Sequence, residues 1–254
     1  MTRKLRNHST SGQALIIASL VIAVLLLSTT YYVFDMKKTM IKDITTTNSS
    51  LKAIRLSTTN TMISALANFT NGGEKEVLIA DLSRLSSSIH SHFYEDQCLL
   101  QFTPLNSSSY VDGMYIVRGQ DGVGISGSYV NFVLNSSGPT ETYYSEFSLN
   151  ITTTLIMKST YTSNDAQKDI NVTCEILNEN EGALMRDIRL FYQNETDGPW
   201  TMVDIYNNLN INDFGNGTYL FFFNVQAQDF LQVSASAHDL RDVLVAANVT
   251  STQV

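Results

Sequence analysis

The stretch ALIIASLVIAVLLLSTTYYVF, residues 14–34, decides the architecture of this chain because it contains no charged side chain and is mostly apolar. A helix rises 1.5 Å per residue, so a helix of this length spans roughly 31 Å, the thickness of the hydrocarbon core of a bilayer. A buried core helix is the alternative, but the length of the run and its lack of a polar face argue against it. The sequence therefore predicts a transmembrane helix over residues 13–35, with the lipid bilayer as its partner.

The charged residues on either side of this run set its orientation. The head, residues 1–12, carries no acidic side chain, and its charges are Arg3, Lys4 and Arg6. On the other side Asp35 accompanies Lys37 and Lys38, so the positive-inside rule places the head in the cytoplasm. No later stretch is long and apolar enough to span a second time. We therefore predict a single-pass protein of the cell membrane, with a cytoplasmic N-terminus and an extracellular C-terminal ectodomain.

The junction SGQAL, residues 11–15, separates the basic head from the apolar run. It resembles the cleavage site of type IV pilin-like precursors, especially archaeal ones, in which a basic head ends in Gly and a Gln-Ala or similar pair opens an apolar helix. The resemblance implies processing between Gly12 and Gln13, and self-association through the N-terminal helix as a filament core. The chain departs from the family at Ile17, where many pilins have Glu. An uncleaved anchor is one alternative. A removed secretory signal is another, although no A-x-A-like site follows.

The part of the chain after the head is acidic. The whole chain has 16 basic and 24 acidic side chains. Without the three basic residues of the head, 13 basic and 24 acidic side chains remain, which is a net charge of −11 for residues 35–254. Nucleic-acid binding requires a basic patch, so this balance argues against nucleic acid as a partner.

Asn-x-Ser/Thr sequons are frequent in the ectodomain. Such sequons are acceptors for N-linked glycans in exported proteins, and a glycan shields the backbone and adds solubility. A chance excess in a chain rich in Asn, Ser and Thr is the alternative explanation. The candidate glycosylation sites are Asn48, Asn68, Asn106, Asn135, Asn150, Asn171, Asn194, Asn216 and Asn248.

The two cysteines, Cys98 and Cys174, are candidates for one disulfide bond. In an oxidising exterior it would close a loop of roughly 75 residues and stabilise the fold by about 4 kcal/mol in the chain-entropy model. Cys174 alternates with Val172 and Ile176 in a strand-like run, so a buried free thiol is the alternative.

Residues 36–94 contain no Pro and repeat apolar residues at helical spacing, for example Leu78, Leu82 and Ile89. Asn71-Gly72-Gly73 breaks the pattern, so we predict an extracellular stalk helix that turns back into a second helix. The apolar stripe of the second helix has to be buried, either on the following sheet or on another subunit.

Residues 95–165 alternate apolar and polar side chains between turn clusters, which predicts an antiparallel β domain. The glycines Gly122, Gly124 and Gly127 fit the spacing G-x-G-x-x-G. A dinucleotide site with this motif needs a helix after the glycines, and strand-like runs lie on both sides here. A glycine-rich hairpin is the better interpretation.

Residues 166–254 show strand-like runs every ten to fifteen residues, separated by strong turn signals. This region resembles an immunoglobulin-like or fibronectin-type β-sandwich. The segment before Tyr219 resembles the corner that precedes strand F, with Tyr219 in the tyrosine-corner position and Phe221 where an antibody domain has its second Cys. Trp200 resembles the aromatic residue of extracellular modules rather than the antibody core Trp.

Sequence motifs for catalysis are missing, and the histidine pair His90 and His92 points apart on a helix. We therefore expect no enzyme activity, cofactor or metal. The predicted fold is an N-terminal transmembrane helix and helical stalk, then a mainly β ectodomain made of an antiparallel unit and an Ig-like sandwich. The predicted function is that of a non-enzymatic, anchored cell-surface protein with a structural or adhesive role, for which a pilin-like filament subunit is one form. The alternative is an anchored extracellular module that binds a glycan or a partner protein.

Overall fold

The computed structural model describes residues 22, 26–30, 51–93, 97–137, 142–164, 167–194, 198–227 and 231–254. The chain divides into two compact units, Met1–Arg55 and Leu56–Val254.

In the first unit, Ile22 and residues 26–30 are helical, and the apolar side chains among them are exposed. The hydroxyl groups of Thr29 and Thr30 donate to Leu26 O at 3.0 and 2.6 Å. A hydroxyl group in an apolar helix can form its hydrogen bond in this way, with a carbonyl one turn back. Within the described ranges, no helix is both long and apolar enough to cross a membrane. The remainder of the predicted segment 13–35 lies outside the described residues, as do Gly12 and Gln13.

Two helices open the second unit. Residues 51–70 are helical, and the part inside this unit, residues 56–70, is α1; the second helix, α2, is Val77–His92. Asn71 ends α1 by donating from Nδ2 to Ala67 O at 2.8 Å, and Gly72 takes a φ of +96°, which favours glycine. The structure thus has two helices with a break at Asn71-Gly72-Gly73, where the sequence predicts one, and residues 36–50 lie outside the described part.

Among the residues described after α2, the regular elements are β-strands and one 3-10 turn (Ile205–Asn207). In chain order the strands are β1 Leu99–Pro104, β2 Met114–Arg118, β3 Val123–Ser137, β4 Thr142–Asn164, β5 Gln167–Asn178, β6 Glu181–Gly182, β7 Met185–Gln193, β8 Thr201–Met202, β9 Asn210–Asp213, β10 Thr218–Gln226, β11 Gln232–Asp239, β12 Leu244–Thr250 and β13 Thr252–Gln253.

The strands of the described residues form two sheets. The long sheet has the order β1-β3-β4-β5-β10-β9, with β2 also paired to β3, β6 to β5 and β13 to β4. The short sheet has the order β12-β11-β7-β8. Neighbouring strands are antiparallel except for β13, which runs parallel to β4.

The two sheets pack face to face around an apolar core. Strands alternate buried and exposed side chains, as β10 and β11 do along their whole length. Alanines on β11 and β12 face larger side chains of the long sheet, and the shared core includes Leu155, Met157, Ile170, Val172, Cys174, Ile176, Leu190, Phe221, Phe223, Val233, Ala235, Ala237, Val245 and Ala247. The result is a β-sandwich.

The strand order of this sandwich is that of an immunoglobulin domain. Strands β4-β5-β10-β9 follow the order A-B-E-D, and β12-β11-β7-β8 follow G-F-C with an added edge strand. The predicted Ig-like β-sandwich is thus confirmed at the level of its topology. Because β4 supplies the first of these strands, the sandwich begins before residue 166.

The predicted border between residues 165 and 166 falls between β4 and β5. These strands pair at 12 positions, from Thr153 opposite Asn178 to Asn164 opposite Gln167. The antiparallel β unit and the Ig-like sandwich therefore share one continuous sheet.

The half of the long sheet that extends beyond the sandwich is covered by α2. Ser86 Oγ donates to Leu100 O at 2.6 Å, and Leu78, Leu82, Phe132 and Leu134 are all buried. The apolar stripe of α2 is thus buried on the following sheet, which is the first of the two arrangements that the sequence left open.

The position of Tyr219 differs from the sequence-based expectation. Tyr219 lies at the start of β10, which neighbours β5 and corresponds to strand E, whereas strand F is β11. Its hydroxyl oxygen accepts a hydrogen bond from Met185 N at 3.1 Å. The prediction of a tyrosine corner was therefore wrong, and so was the assignment of Phe221 to the position of the second antibody Cys. A turn-strand pattern with an aromatic residue does not show which sheet the strand joins.

Candidate functional site

A polar junction lies where the turn between β11 and β12 meets the end of α1. Asp239 is fully buried, and its carboxylate accepts from the backbone N–H groups of Arg241 and Val243, each at 2.9 Å. It also accepts from Thr153 Oγ1 at 3.0 Å. The buried charge thereby fixes the conformation of the turn.

Arg241 neutralises this buried charge and connects β11, β4 and the turn after β5. Its Nε donates to Asp239 at 2.8 Å, and its Nη1 donates to both carboxylate oxygens of Glu179 at 2.8 and 3.0 Å. Its Nη2 donates to Thr152 O and to Thr153 Oγ1, both at 3.0 Å. Burial alone lowers the pKa of Arg241, but hydrogen bonds and charges of Glu179 and Asp239 outweigh burial and raise the pKa. Since every N–H donor of the guanidinium group has a hydrogen-bond partner, Arg241 has a structural role and is not available to bind a ligand anion.

A second polar set joins β11, β7 and the end of α1. His238 Nδ1 lies 2.7 Å from Asp187 Oδ1, and His238 Nε2 lies 2.8 Å from Asn71 Oδ1. Burial raises the pKa of Asp187, but the hydrogen bond and charge of His238, with the charge of Arg189, lower it below its usual value. Nearby, exposed Arg186 pairs with Asp242 at 2.9 Å.

A shallow groove of about 450 Å³ lies beside the junction. Its walls are mostly polar: Asn60, Ser64, Asn68, Asn71, Arg241 and Asp242, together with Ile63 and Ala67. Across the described part of the chain, no three His, Cys, Asp or Glu side chains group as a metal site requires. The groove is therefore lined by amide groups that can form hydrogen bonds and by two charged side chains, Arg241 and Asp242, that are already paired with other charged groups of the protein.

The sequence reasoning missed this junction. No local motif marks Asp187, Asp239 or Asp242, because the partners of these aspartates are mostly distant in sequence. The one local signal is Arg241, a basic residue between two aspartates in a short turn.

The two cysteines are buried thiols and do not form the predicted disulfide. Cys98 precedes β1 and Cys174 lies in β5, with β3 and β4 between those strands. At about 4.8 Å per strand spacing the two lie at least roughly 14 Å apart, whereas a disulfide needs Cα atoms within about 7 Å. Burial raises the pKa of the Cys174 thiol to about 12.

The predicted sequons occupy different environments. Asn106 and Asn216 stand in turns, where their Oδ1 atoms accept the backbone N–H of Asp112 at 2.7 Å and of Thr218 at 3.0 Å. The remaining described sequon asparagines divide by exposure: Asn68, Asn135, Asn150 and Asn194 are exposed, and Asn171 and Asn248 are half-buried. Asn48 lies outside the described residues.

One edge of the sandwich exposes large apolar side chains. The edge strands β8 and β9 end the short and the long sheet, and every residue of both is exposed. We call the exposed residues along residues 200–214 the edge surface; they are Trp200, Met202, Tyr206, Ile211 and Phe214. Tyr206 is 87% exposed and Phe214 is 60% exposed. Unpaired edge strands with exposed apolar residues are typical of interaction surfaces.

Comparison of the sequence with models of known families, and with curated proteins, gives no match. Among solved structures, the first Ig domain of the mouse polymeric immunoglobulin receptor is similar to this chain with 14% identity and a TM-score of 0.24. The match covers 39% of this chain and 95% of that domain. The assignment of the topology rests on the strand order described above and not on this distant similarity.

Proposed function

We propose that this chain is a non-enzymatic, single-pass membrane-anchored protein of the cell surface, with a structural or adhesive role. The observation that carries the proposal is the uncharged apolar run of residues 14–34, which precedes a domain with immunoglobulin strand order. In this arrangement the basic head stays in the cytoplasm and the second unit is displayed outside.

The described residues of the run support this proposal. Ile22, Leu26 and Leu27 are helical and expose apolar side chains, which suits contact with lipid tails. The hydroxyl groups of Thr29 and Thr30 both donate to Leu26 O, one turn back in the same helix. This back-bonding lowers the cost of placing a hydroxyl in hydrocarbon.

The anchor is tested by a charge placed in the run. Val24→Arg should oppose insertion by about 2.5–3.5 kcal/mol, because a guanidinium group is unfavourable at the centre of a bilayer. The full chain should then be recovered in the soluble fraction after carbonate washing of membranes, while the matched Val24→Leu variant stays in the pellet. Retention of Val24→Arg in the pellet contradicts the anchor.

Within this proposal, the finer assignment is a pilin-like subunit that is processed after Gly12 and self-associates through its N-terminal helix. It rests on the junction SGQAL and the apolar helix that follows. Mass spectrometry of the mature N-terminus tests it. A chain that begins at Gln13, and that no longer appears in a Gly12→Leu variant, supports processing. The Ser11→Ala variant serves as the matched control, and an intact Met1 contradicts the assignment.

The edge surface favours a second candidate function, an anchored module that binds a glycan or a partner protein. Trp200, Tyr206 and Phe214 present aromatic rings to solvent on one edge of the sandwich. Whole cells should lose binding to a glycan or protein partner when Trp200 and Tyr206 are both changed to Ala. Leu240→Ala, an exposed apolar site at the β11–β12 turn, is the matched control. Unchanged binding in the double variant contradicts a role of this edge.

A further inference from the structure

Asn150 lies on the outer face of the long sheet, in the part of β4 that β5 does not reach. Pairing of β4 with β5 begins at Thr153, so residues before it have a strand neighbour only on the β3 side. Asn150 is exposed. It therefore stands on an accessible strand edge and on an uncovered sheet face at the same time.

Asn150 is paired directly with Tyr129 of β3. The backbone groups of Tyr129 bond away from β4: its N–H donates to Gly113 O at 2.8 Å, and its oxygen accepts from Leu105 N at 3.1 Å. Tyr129 and Asn150 therefore form a non-hydrogen-bonded pair, in which the Cα atoms are about 4.5 Å apart and the side chains lie closest. The amide of Asn150 thus stands beside a tyrosine ring.

The strand geometry also displays the second residue that a sequon requires. Asn150 and Thr152 are two positions apart on a strand, so their side chains share the outer face. Thr152 lies directly opposite Gly127 of β3 and is half-buried. The backbone of Thr152 is held by Glu179, since its N–H donates to Glu179 Oε1 at 3.0 Å. The strand thus holds the two sequon residues on one face of the sheet, with Asn150 exposed.

Three tyrosines form an aromatic surface next to this sequon. The ring of Tyr110 lies 5.2 Å from the ring of Tyr115 and 6.2 Å from that of Tyr129, centroid to centroid. A methyl group added at Gly127 would lie 3.6 Å from Tyr110 Oη, so the end of the Tyr110 ring reaches over this glycine. Burial, followed by the neighbouring Tyr115 and Tyr129, raises the pKa of Tyr110, which agrees with a packed cluster. Aromatic faces of this kind bind the apolar C–H face of a sugar ring.

We propose that Asn150 carries an N-linked glycan, and that the first sugars of this glycan lie on the surface formed by Tyr129, Tyr110 and Tyr115. This inference rests on the proposed display of the second unit outside the cell. In the modification, Nδ2 of Asn150 bonds to C1 of the sugar of a lipid-phosphate-linked oligosaccharide. The C1–O bond to the phosphate breaks, the lipid phosphate leaves with the electron pair, and Nδ2 releases one proton. A membrane oligosaccharyltransferase supplies the donor and the catalysis.

The other described sequons that lie on strands lack this combination. Asn171 lies in the interior of the long sheet, half-buried between Thr160 and Phe222. Asn248 is half-buried, and its backbone is bonded to Gly119 and Gly122. Asn135 also faces a tyrosine, Tyr144, but this ring is 61% exposed, and its hydroxyl is bonded to Glu146. Among the four described sequons that lie on strands, only Asn150 is an exposed acceptor paired with a tyrosine of a packed aromatic cluster.

Modification is tested on the full chain by cell-free translation with glycosylation-competent microsomes. Enzymatic release of glycans in heavy-oxygen water converts a modified Asn150 into a labelled aspartate, which peptide mass spectrometry detects. We expect the label at position 150 in the natural chain and in Thr152→Ser, which keeps the sequon, and its loss in Thr152→Ala. An unlabelled Asn150 in a chain that is labelled at other sequons overturns the inference and leaves the proposed function standing. A chain without label at any sequon, whose second unit is digested by protease added outside the microsomes, contradicts the proposed display and with it this inference.

Sugar–tyrosine contact is tested by thermal unfolding of the glycosylated chain in detergent, before and after enzymatic removal of glycans. We expect removal to lower Tm by about 2 °C, since a contact of about 1 kcal/mol shifts the Tm of a domain of this size by that amount. The shift should disappear in Tyr129→Leu and remain in Tyr144→Leu, which changes an exposed tyrosine of the same sheet face. Equal shifts in all three chains overturn the stacking of the glycan on Tyr129.

Discussion

His238 Nε2 lies 2.8 Å from Asn71 Oδ1, and this contact joins strand β11 to the end of helix α1 across 167 residues of sequence. The amide of Asn71 is held in one orientation, because its Nδ2 donates to Ala67 O at 2.8 Å and to Asp242 O at 2.9 Å. Its oxygen therefore faces the ring, and His238 Nε2 has to donate. Nδ1 lies 2.7 Å from the carboxylate of Asp187, so each ring nitrogen of His238 has an oxygen atom within hydrogen-bond distance.

The contact between His238 and Asn71 should be visible as coupling between the two residues. We expect Asn71→Ala and His238→Phe each to lower the free energy of unfolding by about 1–3 kcal/mol, since each leaves a polar partner unsatisfied. The double variant should lose less than the sum, with an interaction energy of at least about 0.5 kcal/mol in urea titrations. Asn60→Ala, which alters the same groove, is the control and should be near neutral. Strict additivity contradicts the contact.

The lowered pKa of Asp187 predicts a specific dependence of stability on pH. A carboxyl group whose pKa is lower in the folded state stabilises the fold above its unfolded pKa of about 3.9, and this contribution is lost as the pH falls through the folded pKa. Asp187→Asn should therefore be less stable than the natural chain near neutral pH, by about 1 kcal/mol or less because the pair is partly exposed. The difference should vanish below the native pKa. A difference that grows on acidification contradicts the assignment.

Removal of Arg241 should be among the most damaging single changes in the second unit. Arg241→Ala leaves the buried carboxylate of Asp239 without its countercharge, and a loss of about 3–5 kcal/mol is expected for such a pair. The matched change Arg186→Ala removes an exposed ion pair with Asp242 and should cost about 1 kcal/mol or less. Chemical denaturation of both variants measures the contrast. Similar small losses in the two variants would show that the Asp239 charge is solvated.

Close approach of β12 to β3 should make Gly124 intolerant of a side chain. A methyl group at Gly124 would overlap the backbone oxygen of Ala246, whereas at Gly127 the nearest neighbours lie at 3.4 Å. Gly124→Ala should therefore lower the free energy of unfolding by about 1–3 kcal/mol or more. Gly127→Ala, three residues along the same strand, should stay within about 0.5 kcal/mol. Equal tolerance at the two positions contradicts the packing of β12.

Buried thiols at both cysteines should resist modification until the chain unfolds. The pKa of about 12 for Cys174 leaves almost no thiolate near pH 8, so iodoacetamide should label it very slowly in the native protein. After denaturation without reductant, mass spectrometry should find two alkyl groups per chain. Fewer than two, with full labelling only after reduction, would indicate a disulfide.

Local sequence patterns were sufficient for the type of each element. The 3.6-residue spacing of Leu78, Leu82 and Ile89 gave α2, and the Asn71-Gly72-Gly73 break gave the turn before it. The alternation around Cys174 gave a strand with this residue inside, which the structure has. The same alternation was insufficient to place Tyr219, because a strand of this pattern fits either sheet of a sandwich.

The candidate site was harder to predict from the sequence than the fold was. Its charges are paired across long separations: Arg241 with Glu179, and His238 with Asn71. Cys98 and Cys174 are the opposite case. Their separation in the sequence allows a disulfide bond, but the strands to which they belong or lie next to, β1 and β5, are three positions apart in the sheet. Pairing of distant residues depends on strand order, and no local pattern encodes that order.

By itself, the sequence determined the apolar run at residues 14–34, the helical hairpin, the series of strands and the acidic character of the chain, because side-chain periodicity and charge are properties of short segments. Only the tertiary structure decided that β4 is shared between both predicted β regions, that Arg241 neutralises buried Asp239, and that Asn150 faces Tyr129. These facts arise from which strands become neighbours, and that choice is made by packing of the whole core rather than by any one stretch of chain.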